Sequence, residues 1–170
     1  FFCSDKAGGR GGMDIYYSRF ENYNWSNPIN LGAKVNTSAN ELFPYVSNDA
    51  VLYFSSKTKS GKGDLDIYSF GLKDSSISKP IAMEAPINSS DDDFGICFNS
   101  DLRSGYFSSN RIKNEGDNVF YFNKVIADFT NCVSAKQKNC YSFFKEKYSL
   151  DDETSGNEYV WDFGDGNKAK

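Results

Sequence analysis

A chain of 170 residues has room for one domain, or one and part of another. Its formal net charge of −4 offers no general basic field to nucleic acid or anionic lipid, and no run approaches the ~20 apolar residues of a membrane helix. Histidine is absent, which removes the commonest general base and metal ligand and excludes a Ser–His–Asp or Cys–His site built from these residues alone.

Aromatic residues are plentiful (15 Phe, 11 Tyr, 2 Trp), a mixture that suits strands better than helices. The chain opens on FFCSDKAGGRGGMDIYYS: residues 1–4 and 14–19 read as strands, and 7–12 as a glycine-rich loop. A phosphate cradle needs a helix start after such glycines. These glycines lead instead into MDIYYS, a strand pattern, so a strand connection is the favoured reading. NWSNPINLG, residues 24–32, reads as an outer strand with Trp25 packed against the sheet, turning at Asn27–Pro28.

The best-formed segment comes next. Residues 43–47, 51–55, 66–70 and 77–82 read as four strands, with turns at 48–49 and 73–76 and a loop at 57–62. Asp64 and Asp66 could offer oxygens to a hard cation, but the remaining ligands of a calcium loop are missing. The favoured reading has Asp66 accepting loop N–H groups and locking the corner. The third copy, GYFSSNRIKNEGDNVFYF, is degraded, and a constant offset puts Val119 at the place of Asp66.

The offsets agree with one another. Phe1 and Tyr53, Asp14 and Asp66, Asn36 and Asn88, Glu41 and Asp93, and Asp49 and Asp101 are each 52 residues apart, and Tyr53 and Tyr106 are 53 apart. A period near 50 built of short strands marks a β-propeller, one four-stranded sheet per repeat. The predicted fold is therefore all-β: about three blades over residues 1–126, a linker at 127–139, and a second module over 140–170. A closed propeller needs at least four blades, so the remaining blades are expected upstream in the same chain or in a partner. Asp14, Asp66, Glu41 and Asp93 are the expected structural blade-corner residues, and no catalytic, cofactor or metal residue is predicted.

Cys3 and Cys97 read as small buried residues. Cys132 and Cys140 could close a disulfide in an oxidising compartment, although sequence does not give the Cα separation this requires. The end, YVWDFGDGN, reads as a strand with Trp161 and Phe163 on one side, as structural core of the second module, running into an Asp165–Gly166 turn.

Two resemblances emerge from these residues. The FPYVSND–LYFSS–GKGDLDIY run, with the preceding W-x-x-P-x-N-L-G-x-x-V-N segment, resembles the TolB-like (WD40-like) propeller repeats of Bacteroidota envelope proteins, over residues 1 to about 124. WDFGDG, residues 161–166, is similar to the core motif of a PKD domain, an immunoglobulin-like β-sandwich whose first part would cover 140–170. These resemblances imply non-catalytic modules without a cofactor, in the periplasm or at the outer-membrane-associated cell surface. The implied partners are envelope proteins, among them a type IX secretion or gliding-motility complex. A glycan-binding or accessory propeller of an envelope enzyme is the alternative, with aromatic faces available to sugars.

Overall fold

The computed structural model describes residues 1–57, 62–73, 79–125, 147–150, 161–162 and 168–169, the last three stretches by their backbone. The chain is all-β, its described residues containing no α-helix and a single 3₁₀ turn, Gly32–Lys34. Strands β1 (Phe2–Ser4) and β2 (Asp14–Tyr17) pair antiparallel. A separate hairpin of β3 (Phe20–Glu21) and β4 (Asn24–Trp25) intervenes before β5 (Ile29–Asn30) returns to pair with β2.

The second sheet runs β6 (Glu41–Val46), β7 (Val51–Ser56), β8 (Asp66–Gly71) and β9 (Ile81–Ala82), each strand pairing with the next. The third repeats this order with β10 (Asp93–Phe98), β11 (Ser104–Ser109), β12 (Asn118–Val125) and β13 (Lys147–Leu150). A final two-stranded pair joins β14 (Trp161–Asp162) to β15 (Lys168–Ala169). The third sheet thus takes its fourth strand from beyond residue 126, so the boundary expected there falls inside this sheet. Phe163, Cys132 and Cys140 lie outside the described residues.

Register makes the three sheets superimposable. Ser4 faces Asp14, Ser56 faces Asp66 and Ser109 faces Asn118. Asn118, not Val119, therefore occupies the aspartate place, and the constant-offset alignment is corrected by one residue. The cause is a shorter loop: residues 110–117 connect β11 to β12, whereas 57–65 connect β7 to β8. Val119 stands instead where Ile15 and Ile67 stand.

Strand alternation then decides what each side chain buries. Ile15 and Val35 pack against Leu52, Phe54 and Tyr68, forming the core between the first and second sheets. Ile67, Met83 and Ile87 pack against Ile96, Phe107 and Phe122, forming the core between the second and third. Each such side chain contributes about 1.5–3 kcal/mol by leaving water. Val119, with no described sheet beyond it, is 68% exposed where Ile67 is fully buried.

Two further expectations are corrected. Trp25 does not pack on the sheet: it sits on the separate hairpin, 70% exposed, with its ring 5.2 Å from that of Phe20. Cys97 is exposed and Cys3 half-buried, because strand alternation turns Cys97 away from the core that holds Ile96.

Candidate functional site

The sequence-marked polar residues gather at the joints between sheets. Asp14 sits at the start of β2, where Oδ2 accepts from the Arg10 N–H at 2.6 Å and Oδ1 from the Gly11 N–H at 3.0 Å. Asp66 does the same at the start of β8, its Oδ2 accepting from Lys62 N–H (2.7 Å) and Gly63 N–H (3.0 Å). Both carboxylates are buried and turn the end of a loop into the start of a strand. Asp64 points elsewhere, into an exposed ion pair with Lys57 at 2.6 Å, a contact that adds little in high dielectric.

Glu41 and Asp93 pin the other side of each joint. Glu41 accepts from the Thr37 N–H and hydroxyl and from Ser56 Oγ at 3.1 Å. Asp93 accepts from the Ser89 N–H and hydroxyl. Its side chain is one methylene shorter, and its remaining oxygen meets Arg111 at 2.5 Å. Backbone bonds run across the same joints, from Glu41 N–H to Met13 O and from Asp93 N–H to Leu65 O.

Asn36 and Asn88 complete the pattern. Each fully buried carboxamide both accepts from and donates to one backbone residue of the preceding sheet, Ile15 and Ile67 respectively, at 2.8–2.9 Å, and also donates to Asn30 Oδ1 or Met83 O at 2.9 Å. The side chain thereby imitates one more residue of strand. The 52-residue spacing marks this pair in the sequence, but its role is visible only in three dimensions. Arg111 has no repeat signal, because it answers a departure from the repeat.

The glycine-rich loop serves the joint as well. A Cβ on Gly11 would sit 2.0 Å from Ala39 O, and one on Gly63 would sit 2.1 Å from Asp91 O. Only glycine lets these loops approach the following turn so closely.

One joint is incompletely satisfied. Asn30 donates its amide to Asp14 Oδ2 at 2.8 Å, but the register puts Ala82 at the matching place in the second sheet, and Asp66 Oδ1 is left buried without a partner. Burial pushes the Asp66 carboxyl above the usual carboxylate range; the Gly63 and Lys62 N–H groups pull it down, and the charge of Asp93 adds to the rise. A raised folded-state value means that Asp66 favours folding most below the ordinary carboxylate pKa, and this contribution is lost as pH rises through the folded value. Ala82→Asn supplies the missing donor. The expected result is a gain of about 1 kcal/mol, larger near pH 7 than near pH 4, checked by thermal melts at the two pH values.

Outside the joints, several aromatic side chains are exposed. Phe43 lies at a bulge in β6 with φ +52°, where the third sheet has Gly95 at φ +66°. Its ring is half-exposed and stacks on Phe94 at 5.2 Å. Tyr23, at the tip of the β3–β4 hairpin, also has a positive φ of 62° and is almost fully exposed. Among the described residues, no cluster of three or more metal-ligating side chains occurs, and no helix is long and apolar enough to cross a membrane. Comparison with family models, characterised proteins and solved structures finds no match for this chain.

Proposed function

We propose that the chain is a propeller-type repeat array joined to the start of a PKD-like module, and that it serves as a non-catalytic scaffold or protein-interaction element of a bacterial cell envelope, in the setting of a type IX secretion or gliding complex. One observation carries this reading. The polar residues that recur with the repeat, Asp14/Asp66, Asn36/Asn88 and Glu41/Asp93, direct their hydrogen bonds at neighbouring backbone and side chains of the joints. The Asn36 and Asn88 side chains bond one sheet to the next, the carboxylates fix the loops and turns beside them, and recognition is left to exposed loops and edges.

A second reading, glycan binding, has its own observation. An L-residue in the left-handed region costs roughly 1–2 kcal/mol, and Phe43 keeps that conformation while presenting a half-exposed ring. Such an outlier is grounds for a ligand hypothesis.

One experiment separates the two. The protein is captured from its native envelope after mild cross-linking, and the companions are identified by mass spectrometry. The scaffold reading expects secretion, motility or cell-wall-associated proteins at near-fixed ratio. Glycan fragments without a protein companion, lost on Phe43→Gly, would transfer the assignment to the second reading.

A further inference from the structure

Two corners of one design differ in a single side chain. At the first, Asp14 accepts from the Arg10 and Gly11 N–H groups and from the Asn30 amide at 2.8 Å. At the second, the Lys62 and Gly63 N–H groups both donate to Asp66 Oδ2, and β9 offers Ala82 where β5 offers Asn30. Asp66 is 1% exposed, and its Oδ1 meets no donor among the described residues. An ionised oxygen kept from water without a donor is unfavourable, and a proton relieves it.

A second buried carboxylate shares this joint. Asp93 is fully buried and opens β10. Its charge raises the Asp66 carboxyl further, after the larger effect of burial, against the pull of the Gly63 and Lys62 N–H groups and the Lys62 charge. The other charged groups of the joint are engaged: Arg111 pairs with Asp93, Asp92 accepts the Leu65 N–H at 2.8 Å, and Lys57 pairs with Asp64. On β8 the next side chain of the same face is Tyr68, opposite Ala82, while β7 places Ser56 opposite Asp66.

The same corner grips the third sheet. Gly63 lies against the backbone of Asp91, the Leu65 N–H bonds to the Asp92 side chain, and Leu65 O accepts the Asp93 N–H. We infer that this corner is a pH-responsive clasp, closed in acid with Asp66 neutral and released as pH rises toward 7, while the Asp14 corner with its full set of donors stays closed. Opening brings Asp66 into water, where it ionises as an ordinary carboxyl. Each opening therefore releases one proton, and rising pH favours it. The inference is independent of the scaffold reading, since it concerns how the sheets are held and not what they hold.

The test follows amide hydrogen exchange of the whole chain between pH 4 and pH 7, corrected for the intrinsic exchange rate. Protection at Lys62, Gly63, Leu65 and Asp93 should fall by up to about tenfold per pH unit. The matching amides of the first joint, Arg10, Gly11, Met13 and Glu41, should keep theirs. Asp66→Asn, which imitates the neutral carboxyl, should abolish the pH dependence. Ala82→Asn keeps the carboxyl and supplies its donor, so it should reduce the dependence, and it decides the matter should Asp66→Asn not fold. Constant protection at the four amides of the second joint, an equal fall at those of the first, or a fall that persists undiminished in the variants overturns the inference.

Discussion

Replacing Arg111 by alanine is expected to destabilise the chain by about 3–5 kcal/mol, because it leaves a buried charge without its partner. The Asp93 side chain is completely buried, whereas that of Arg111 is 16% exposed. The guanidinium also donates to Ser109 Oγ and to the carbonyl oxygens of Pro86 and Ile87, and it lies over the rings of Phe107 and Phe120 at 4.9 and 5.0 Å. These contacts tie the crossing between the second and third sheets to the end of β11. Lysine should recover little of the loss, since a single ammonium cannot reproduce the planar fork. Denaturant melts of Arg111→Ala, Arg111→Lys and the double variant Arg111→Ala/Asp93→Asn check the mechanism. Substantial recovery in the double variant identifies the unpaired carboxylate as the main cost, and no recovery assigns it to the lost stacking and carbonyl contacts.

Asn88→Ala is the second large effect, at about 3 kcal/mol. The Ile67 N–H donates to the Asn88 side chain, and alanine leaves that buried donor without an acceptor. Ile67 O is less affected, since it retains the Met83 N–H at 2.9 Å. Met83 O loses the second donor hydrogen bond of the amide. The analogous Asn36→Ala change, made in the same chain, should cost a similar amount at the first joint. Hydrogen exchange locates the damage: the Ile67 amide should lose protection in Asn88→Ala while Ile15 keeps its own. Equal loss at both amides would show that the joints do not act separately.

These effects separate what the sequence makes legible from what it does not. The 52-residue spacing exposes the sheets, because each copy must place Ile15 or Ile67 against the next core and Asp14 or Asp66 at the next corner. Short strands of aromatic and β-branched residues locate β6, β7 and β8 to within about two residues, the ordinary uncertainty of strand ends. Strand β4 reads as the start of an outer strand over residues 24–32, because Trp25 looks like a packing residue when its surroundings are unknown. The Val119 alignment fails at a loop one residue shorter, a change that alters the offset without altering the pattern. Arg111 is illegible for a related reason. Its ion pair answers the aspartate that stands at position 93 where the preceding copy has Glu41, so nothing in that copy announces it.

The placement of the joints has a consequence for how the chain can be divided. Glu41 begins the second sheet, yet its N–H, like the Asn36 side chain shortly before it, is bonded to the first. The bonds that join the two sheets thus lie on the N-terminal side of the first strand of the second sheet. A nick in the turn at residues 47–50 would leave those bonds on one side of the cut, whereas a nick at 31–40 would sever the covalent link within a joint. Limited proteolysis and fragment complementation should therefore yield pieces that begin on the second strand of a sheet and end on the first strand of the next.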